Sequence, residues 1–577
     1  MAPLPSLDGI VSVADCIRRN AVDPEIADKP FLRLDDFALS HAEFAEASAR
    51  LAALLQERRD PTRPFHLGIL LENVPEYLIA FGACALAGAT AVGINPIQRG
   101  ASLLRDILHT DCQFLLTAPA HHDLLRPIWS ELDLSRERTW ITRAHALGDV
   151  SPGAEFGEDF SEALTSVTGV DLSGPSVDPD APYILVFTSG TTGAPKGVQI
   201  SQSRMLSTGE KIGALMEVDR EGCGYLAMPL FHANSQQCGF MPALLQGASL
   251  GLIRRFSRSR WLSDIRRYGV TYFNYTGKPL SFILTTRRSS DDRENPLRIA
   301  YGNEGSSRIL DEFSERFGCR IIDGFGATEG GFGFARAPTD PANSVGRPPP
   351  EVHILSPEGA RRPPGILDAH GRVQNPDEAI GEIVNTAGFG KFEGYYRNPE
   401  ATAERTRGGM YWSGDFGFQD ADGFLYFTGR DISWIRVDGE NFLARPIEDI
   451  LQRHPDIYLC AVYAVPDRDA GDRVMATVVL AEEAIFDGQV FADFLESEED
   501  CSPKWWPTFV RIATRIPQTA THKILKRELR TQGFSPQRVA DPIFHKVRGE
   551  SFYRVFDDAA YRDLRDAFLA RGRGHLL

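Results

Sequence analysis

Ten consecutive residues, Thr188–Gly197, combine the side chains and backbone freedom that an anionic ligand requires. The segment reads TSGTTGAPKG; it follows the strand candidate at 183–188 and precedes a predicted helix that Ser201 could cap. Hydroxyl groups can donate to phosphate oxygens, glycines let backbone N–H groups approach them, and a lysine adds a positive charge. The sequence therefore predicts a polyphosphate-binding loop, although its spacing differs from the Walker pattern and a flexible surface turn is the alternative. The ligand candidates in this loop are Thr188, Ser189, Gly190, Thr191, Thr192, Gly193 and Lys196.

Six further motifs follow the loop in a fixed order. They are GFGATE (324–329), GYYRNPEAT (394–402), YWSGD (411–415), GR (429–430), GEN (439–441) and PQTATHKILKREL (517–529) with Lys523. With these motifs the chain resembles, from about residue 40 to 535, the adenylate-forming acyl-CoA synthetases, whose relatives include nonribosomal peptide adenylation domains and luciferases. The resemblance implies an AMP-forming acid–thiol ligase that uses ATP, Mg²⁺ and CoA. Its partner would be a hydrophobic carboxylic acid, activated through an acyl-adenylate.

The residue types in the motifs suit this chemistry. Activation of a carboxylate by ATP places negative charge on the α-phosphate, the carboxylate and the departing pyrophosphate, so the site needs cations and donors. Glu329 follows a strand candidate and could bind a Mg²⁺ ion that bridges phosphates, and Thr328 could donate to the α-phosphate. A buried glutamate with a structural partner is the alternative. The candidate catalytic residues are Lys196, Thr328, Glu329 and Lys523.

Other candidates would hold the nucleoside. The carboxylate of Asp415 could accept from two vicinal ribose hydroxyls, and Arg430 could hold the ribose or a phosphate. An exposed Asp–Arg pair of little energetic value is the alternative. The resemblance also implies that Phe325 stacks on adenine, although tyrosine is more usual at this position. The candidates around the adenine ring are Asn303, Glu304, Gly305, Phe325 and Gly326.

Lys523 lies more than 300 positions after the phosphate loop. The resemblance implies that it reaches the α-phosphate and the carboxylate only when a small domain closes, and then leaves for the second half-reaction. An exposed surface lysine is the alternative. In the other closure, Gly439 and Glu440 would approach the acyl-adenylate and admit the thiol of CoA. The hinge position corresponds to Ile432, where the family more often has an acidic residue, lysine or glycine.

Three features of the sequence bear on which carboxylic acid is the substrate. The segment YGNEGS (301–306) and the C-terminal extension resemble the fatty-acid transport protein branch of very-long-chain acyl-CoA synthetases. His232, in MPLFHANSQ, matches a position that lines or gates the acyl channel in relatives, and a core or capping histidine is the alternative. We expect a medium- to very-long-chain fatty acid, or a bulky lipid acid such as a steroid side-chain carboxylate.

The elements that must position these residues follow an α/β pattern. Apolar strand candidates alternate with helical patterns through the first 430 residues, which predicts stacked βαβ units in a large multi-sheet domain. After Gly429, a helix candidate at 446–453 and strands at 458–465 and 474–480 predict a small α+β domain on a hinge. The expected domains are 1–430, 431–545 and a helical extension, 546–577. The strand candidates of the large domain are 66–71, 90–94, 113–117, 183–188, 251–254, 271–274, 298–301 and 319–323.

Composition excludes several protein classes. With 42% apolar and 24% charged residues, a chain of 577 residues can bury large cores, so it is neither disordered nor fibrous. The net charge of −16 argues against nucleic acid as a partner. Eight scattered cysteines and an N-terminus without a signal-peptide pattern predict a cytoplasmic protein with reduced thiols. The apolar stretch 77–94 is interpreted as a packed helix and strand, with a membrane span as the alternative.

Four alternatives remain open from the sequence. The acyl group could go to a separate carrier protein instead of CoA. The chain could be a membrane-associated fatty-acid binding or uptake protein without turnover. A GxSxG pattern at 247–251 raises a serine hydrolase, interpreted as a chance match. The amphipathic C-terminal helix could contact a membrane surface peripherally or a second subunit in a homodimer.

Overall fold

The chain divides into two units, each built from two stretches of sequence. One unit comprises Met1–Thr339 with Asn385–Trp412, and the other comprises Asp340–Val384 with Ser413–Leu577. The expected domain boundaries after residues 430 and 545 stay predictions. The computed structural model describes residues 9–143, 145, 156–170, 172, 176–188, 196–276, 278–303, 305, 307–341, 343–368, 373–429, 434–437, 440–468, 472–498, 501–518, 524–547, 550 and 552–577.

Helices occur along the whole chain and alternate with strands in the first unit. They are α1 (Val13–Val22), α2 (His41–Arg58), α3 (Pro75–Ala87), α4 (Gly100–His109), α5 (His122–Leu125), α6 (Phe160–Ser166), α7 (Gln202–Leu215), α8 (Met241–Gln246), α9 (Trp261–Tyr268), α10 (Lys278–Leu284), α11 (Ser307–Phe317), α12 (Pro376–Ala379), α13 (Pro399–Arg405), α14 (Ala444–Leu451), α15 (Gly488–Ser497), α16 (Lys526–Gln532) and α17 (Asp558–Ala570).

The strands of the first unit form two large sheets. They are β1 (Pro30–Leu34), β2 (Phe37–Ser40), β3 (His66–Leu70), β4 (Thr90–Gly93), β5 (Phe114–Thr117), β6 (Thr139–Ile141), β7 (Glu158–Asp159), β8 (Pro182–Thr188), β9 (Lys196–Ser201), β10 (Cys223–Leu226), β11 (Ser249–Leu252), β12 (Tyr272–Thr276), β13 (Ile299–Asn303), β14 (Arg320–Gly326) and β15 (Gly333–Ala335). Each strand candidate of the large domain overlaps one of them.

Both sheets are parallel except at their edges. One has the order β15-β14-β13-β12-β10-β11-β1-β2, with antiparallel pairing of β14 to β15 and of β1 to β2. The other has the order β7-β6-β5-β3-β4-β8-β9, with antiparallel pairing of β8 to β9. Parallel neighbours require crossover connections, which the intervening helices supply. The predicted α/β class with βαβ units is therefore confirmed.

The most apolar stretch of the chain is a helix followed by a strand. Helix α3 starts at Pro75, whose fixed φ angle and missing N–H suit a first helical position. It ends at Ala87 and is capped by Gly88, which has φ of 68°. All of α3 and β4 is buried. The interpretation of 77–94 as core is thus confirmed. Among the residues that the structure describes, no helix combines the length and apolar character needed to cross a bilayer.

The second unit contains three smaller sheets. Their orders are β16-β17-β18-β19, β20-β21 and β22-β23-β24-β25-β26. The strands are β16 (Val352–Leu355), β17 (Gly381–Asn385), β18 (Tyr411–Gln419), β19 (Leu425–Gly429), β20 (Trp434–Val437), β21 (Glu440–Leu443), β22 (Ile457–Pro466), β23 (Asp472–Leu480), β24 (Phe509–Ile512), β25 (Ile543–Lys546) and β26 (Tyr553–Val555).

The C-terminal extension packs onto the core of this second unit. Helix α17, which the sequence predicts, begins after Asp557, whose side chain accepts from the backbone N–H of Ala560. Phe568 is buried in a cluster with Phe534 and Phe556, and Leu564 packs against the same cluster. The apolar face of the helix is therefore occupied by its own unit. Membrane or subunit contact through this helix stays a prediction.

Candidate active site

Two adjacent parallel strands bring the candidate adenine-binding residues together. Gly302 of β13 is the register partner of Asp323 of β14, so Asn303 and Phe325 follow at the same edge of the sheet. Oδ2 of Asp323 accepts hydrogen bonds from the backbone N–H of Gly305 and from the hydroxyl of Tyr275, both at 2.9 Å. This half-buried carboxylate thus fixes the start of the loop after β13.

Gly305 has no room for a side chain. A Cβ atom there would lie 2.4 Å from Cδ2 of Leu310 and 2.7 Å from Oδ2 of Asp323. Both distances are well inside van der Waals contact, so a side chain at residue 305 would force the loop or these two side chains to shift. The glycine of the NEG segment therefore has a steric reason that its sequence context alone does not reveal.

Phe325 lies on a hairpin formed by β14 and β15. Its ring is half-buried, and its centroid is 6.2 Å from that of Phe332 and 5.6 Å from that of Phe334. Gly326, next in the chain, is exposed. These aromatic neighbours brace Phe325 on the hairpin, and its half-exposed ring could stack on a planar base.

The Thr328–Glu329 segment is held from the side by Arg204 of α7. The guanidinium of Arg204 donates to the carbonyl oxygen of Thr328, and at 3.1 Å to that of Gln199. Burial lowers the pKa of Arg204, and the carboxylates of Glu393 and Glu329 oppose this shift. The buried guanidinium is thus paired with carbonyl oxygens and nearby negative charge, as burial of a charge requires. Helix α7 itself begins after Ser201, whose side chain accepts from the N–H of Arg204 as predicted.

Glu329 is buried and bonded to a tyrosine. Oε1 of Glu329 accepts a hydrogen bond from the hydroxyl of Tyr395 at 2.9 Å. Burial raises the pKa of Tyr395, and the neighbouring Glu329 carboxylate raises it further, so the hydroxyl keeps its proton and remains a donor. The positive charge of the Arg405 guanidinium opposes this rise in pKa, and that guanidinium donates to the carbonyl of Trp412 at 3.1 Å.

Tyr395 reaches this position because its segment continues a sheet. The N–H of Gln199 donates to the carbonyl of Gly394, and the N–H of Tyr396 donates to the carbonyl of Gly197, at 3.1 and 2.8 Å. Val198 and Tyr395 form an antiparallel bridge. The segment from Gly394 therefore lies along β9, directly after the phosphate loop.

Lys196 is a cation beside the ring of this tyrosine. It opens β9, is buried, and places its Nζ 5.3 Å from the ring centroid of Tyr395 and 4.0 Å from a carboxylate oxygen of Glu404. The sequence predicts a strand, loop and helix here, but residues Lys196–Ser201 form a strand that pairs with β8, with Thr188 opposite Lys196. The described residues on either side of the candidate phosphate loop therefore belong to paired antiparallel strands, and Val198 and Ile200 are buried strand residues before α7 begins.

His232 lies in a turn between β10 and a π-helix, Ser235–Phe240. Asn73 anchors this turn: its amide donates to the carbonyls of Met228 and Ile253, and its oxygen accepts from the N–H of Leu230, all at 3.0 Å. Burial lowers the pKa of His232 to about 4. Its Nε2 has no hydrogen-bond partner within the described part of the chain. The ring is therefore neutral at physiological pH.

Asp415 is a buried residue of β18 in the second unit. Its N–H donates to Oγ of Ser413 at 3.0 Å, and that hydroxyl donates to the carbonyl of Ile383 at 2.7 Å. Gly414, between them, has φ of 70° and donates to Glu382 at 2.7 Å. Hydrogen bonds thus fix the backbone of the YWSGD motif at Gly414 and Asp415.

Several predicted site residues lie outside the described residues. Of Glu440 the structure describes the backbone, in β21, but not the side chain. The residues outside are Ser189, Gly190, Thr191, Thr192, Gly193, Glu304, Arg430, Ile432, Gly439 and Lys523. Their proposed roles stay predictions.

The hydrolase pattern at 247–251 has the wrong local structure. Ser249 opens β11 directly after α8, whereas a nucleophile elbow lies between a strand and a following helix. Its Oγ donates to the carbonyl of Pro30 at 2.6 Å. The interpretation of this pattern as a chance match agrees with the geometry.

Three residues around Glu329 were not predicted from the sequence. Tyr395 stands in a quoted motif, but two adjacent tyrosines gave no sign of which one turns inward. Arg204 and Arg405 lie in ordinary helical patterns. Their roles depend on long-range contacts, so only a signal that links distant positions could have found them.

The geometry agrees with comparisons to known proteins. The AMP-binding enzyme family matches residues 19–396, and the AMP-binding enzyme C-terminal domain matches residues 446–523. The chain therefore belongs to the AMP-binding enzyme family. The predicted family is confirmed.

Two proteins with similar sequences carry names that state their reactions. A medium/long-chain-fatty-acid–CoA ligase, FadD17 of Mycobacterium marinum, is 42% identical over 527 residues, 91% of this chain and 97% of that protein. The steroid-22-oyl-CoA synthetase of Rhodococcus jostii is 41% identical over 544 residues, 92% of this chain and 93% of that protein. The predicted enzyme class, an AMP-forming CoA ligase, is thereby confirmed.

Solved structures share the fold. The anthranilate CoA ligase AuaEII in complex with anthranoyl-AMP superposes with a TM-score of 0.77 at 22% identity, covering 90% of this chain and 96% of that one. A benzoate CoA ligase from Burkholderia xenovorans gives a TM-score of 0.75 at 18% identity, covering 90% and 99%. The large and small domain organisation of adenylate-forming ligases is thus the fold of this chain.

Proposed function

We propose that this protein joins a hydrophobic carboxylic acid to CoA at the expense of ATP, through an acyl-adenylate, with release of AMP and pyrophosphate. The proposal depends on one observation: Tyr395 contacts a buried cation and a buried carboxylate. Its ring lies next to the ammonium group of Lys196, and its hydroxyl is bonded to the carboxylate of Glu329. A polyphosphate with a bound metal ion needs both charges, because the carboxylate can bind the metal ion and the ammonium group can bind the phosphate oxygens. The acid would be a medium- to very-long-chain fatty acid or a steroid side-chain carboxylate, as the names of the two similar ligases suggest.

The donor set at Glu329 fits magnesium. Mg²⁺ commonly binds through one or two carboxylates, substrate phosphates and water, and a carboxylate bonded once by Tyr395 retains lone pairs for a cation. The ion would neutralise phosphate charge when bound. Lys196 would hold the polyphosphate and Thr328 would donate to the α-phosphate, while Arg204 keeps that loop in place.

The remaining residues would hold the nucleoside and the second substrate. Phe325 would stack on adenine, Gly305 would line its edge, and Asp415 would accept from the ribose. We propose that residues 431–545 move as a domain that brings Lys523 to the α-phosphate and later presents Gly439 beside the incoming thiol. Peripheral membrane contact and a homodimer are further proposals that depend on the extension 546–577.

Release of AMP and pyrophosphate across a panel of acids tests this function. The panel contains straight-chain fatty acids of increasing length, steroid side-chain acids and short polar acids, each with and without CoA. We expect CoA-dependent AMP release with the lipid acids only. Transfer to a holo-carrier protein but not to CoA would favour carrier loading, and binding of lipid acids without ATP consumption would contradict the proposal.

A further inference from the structure

We propose that Tyr395 is a positioning residue of the nucleotide site: its hydroxyl orients the Glu329 carboxylate toward metal-bound ATP, and its ring holds Lys196. This inference rests on the proposed function, since it concerns the same site. Tyr395 itself need not touch ATP. It acts through the two charged side chains that do.

The contact with Glu329 has the geometry of a strong hydrogen bond. The Tyr395 hydroxyl lies 2.9 Å from Oε1 of Glu329, and the two residues are 4% and 8% exposed. Hydrogen bonds to an ionised acceptor are stronger than neutral ones, and burial strengthens them further. With one oxygen held by the tyrosine, the carboxylate has a single preferred orientation.

The ring has a separate role. Nζ of Lys196 lies 5.3 Å from the ring centroid, a distance at which an ammonium group is attracted to an aromatic ring. Because the ring contact does not involve the hydroxyl, the substitution Tyr395→Phe removes the bond to Glu329 and leaves the contact with Lys196. The two roles can thus be separated by experiment.

The neighbouring tyrosine provides a matched control. Successive side chains of an extended segment point to opposite faces, and the hydroxyl of Tyr396 donates to Oδ2 of Asp111, also at 2.9 Å. Tyr396→Phe therefore removes a tyrosine–carboxylate hydrogen bond of the same length from the same segment. This hydrogen bond does not involve Glu329.

Binding of a non-hydrolysable ATP analogue, measured by titration calorimetry with and without Mg²⁺, tests the inference without any acid. We expect Tyr395→Phe to weaken binding about tenfold in Mg²⁺, as loss of a charge-assisted hydrogen bond would, and far less in EDTA. Tyr396→Phe should bind like the unsubstituted enzyme. In a Glu329→Gln background, Tyr395→Phe should add little, since the carboxylate it orients is gone.

Two results would overturn the inference. One is unchanged Mg²⁺-dependent binding in a folded Tyr395→Phe protein. The other is an equal loss of binding in the Glu329→Gln background or in EDTA, which would mark a general structural role; thermal unfolding of each variant reports whether it folds. Absence of turnover with every acid would contradict the proposed function but would leave these binding results standing.

Discussion

Oδ2 of Asp323 accepts a hydrogen bond from the backbone N–H of Gly305 at 2.9 Å, and thereby ties the loop after β13 to strand β14. The same oxygen accepts from the buried hydroxyl of Tyr275. One carboxylate thus joins the candidate adenine-binding loop to the core of the sheet.

Asp323→Ala should weaken ATP binding and destabilise the first unit. Both partners lose their acceptor, and an unsatisfied buried hydroxyl costs roughly 1–3 kcal/mol of unfolding free energy. Titration calorimetry and urea unfolding measure the two effects. Asp323→Asn keeps an oxygen acceptor and should retain most of both properties. Unaltered nucleotide binding in the alanine variant would mean that this loop does not contact the nucleotide.

Gly305→Ala should also impair ATP binding, for a steric reason. The added methyl group would lie 2.4 Å from Cδ2 of Leu310 and 2.7 Å from Oδ2 of Asp323, so the loop or these two side chains must shift. Gly333→Ala is the matched control on the adjacent hairpin, because its nearest contact would be 4.0 Å away. We expect at least about tenfold weaker binding for Gly305→Ala and little change for the control. Equal behaviour of the two variants would contradict the placement of Gly305.

Lys523→Ala should separate the two half-reactions. If this lysine supports only adenylation, acyl-adenylate formation falls by about 100-fold or more, while thioester formation from preformed adenylate is largely spared. Rapid-quench assays of each half-reaction measure this. Lys29→Ala, which removes an exposed ion pair with Glu221, should alter neither. Equal losses in both half-reactions would refute the assigned role.

His232 should make the free energy of unfolding decrease as the pH is lowered. Burial lowers the pKa of His232 from 6.5 to about 4. Between these two pH values the histidine is protonated in the unfolded chain but neutral in the folded protein. Its stabilising effect is complete above pH 6.5 and is lost as pH falls toward 4. At pH 5 the loss is roughly 2 kcal/mol.

Urea unfolding of the wild type and His232→Asn at pH 7 and pH 5 measures this contribution. Other buried histidines are common to both proteins and cancel in the comparison. The stability of the variant should fall less between the two pH values. An identical fall in both proteins would show that His232 is protonated as readily in the folded state as in the unfolded state.

Local patterns in the sequence were sufficient for part of the sheets of the first unit. The eight strand candidates correspond to β3, β4, β5, β8, β11, β12, β13 and β14. Buried strands such as β3 and β5 are short runs of apolar residues, and the packed helix α3 is bounded by Pro75 and Gly88. Strand β9 escaped prediction because Lys196–Ser201 follows a glycine-rich loop and precedes a well-capped helix. Its strand structure depends on pairing with β8, which the segment alone does not encode.

The candidate site was predictable in its motifs but not in its connections. The positions of Glu329 and Lys196 follow from recognisable residue types after strands. The bond from Tyr395 to Glu329 joins residues 66 positions apart, and Arg204 reaches Thr328 across 124 positions. Such contacts arise from tertiary packing, and no periodicity within a single element reports them.

Detection of the acyl-adenylate tests the central claim most directly. The enzyme is incubated with ATP, Mg²⁺ and a steroid side-chain acid or long-chain fatty acid, and the products are analysed by mass spectrometry before and after addition of CoA. Our account predicts that acyl-AMP accumulates without CoA and is converted to acyl-CoA when CoA is added. Acyl-CoA formation accompanied by ADP and phosphate, or no acyl-AMP with any acid, would contradict it.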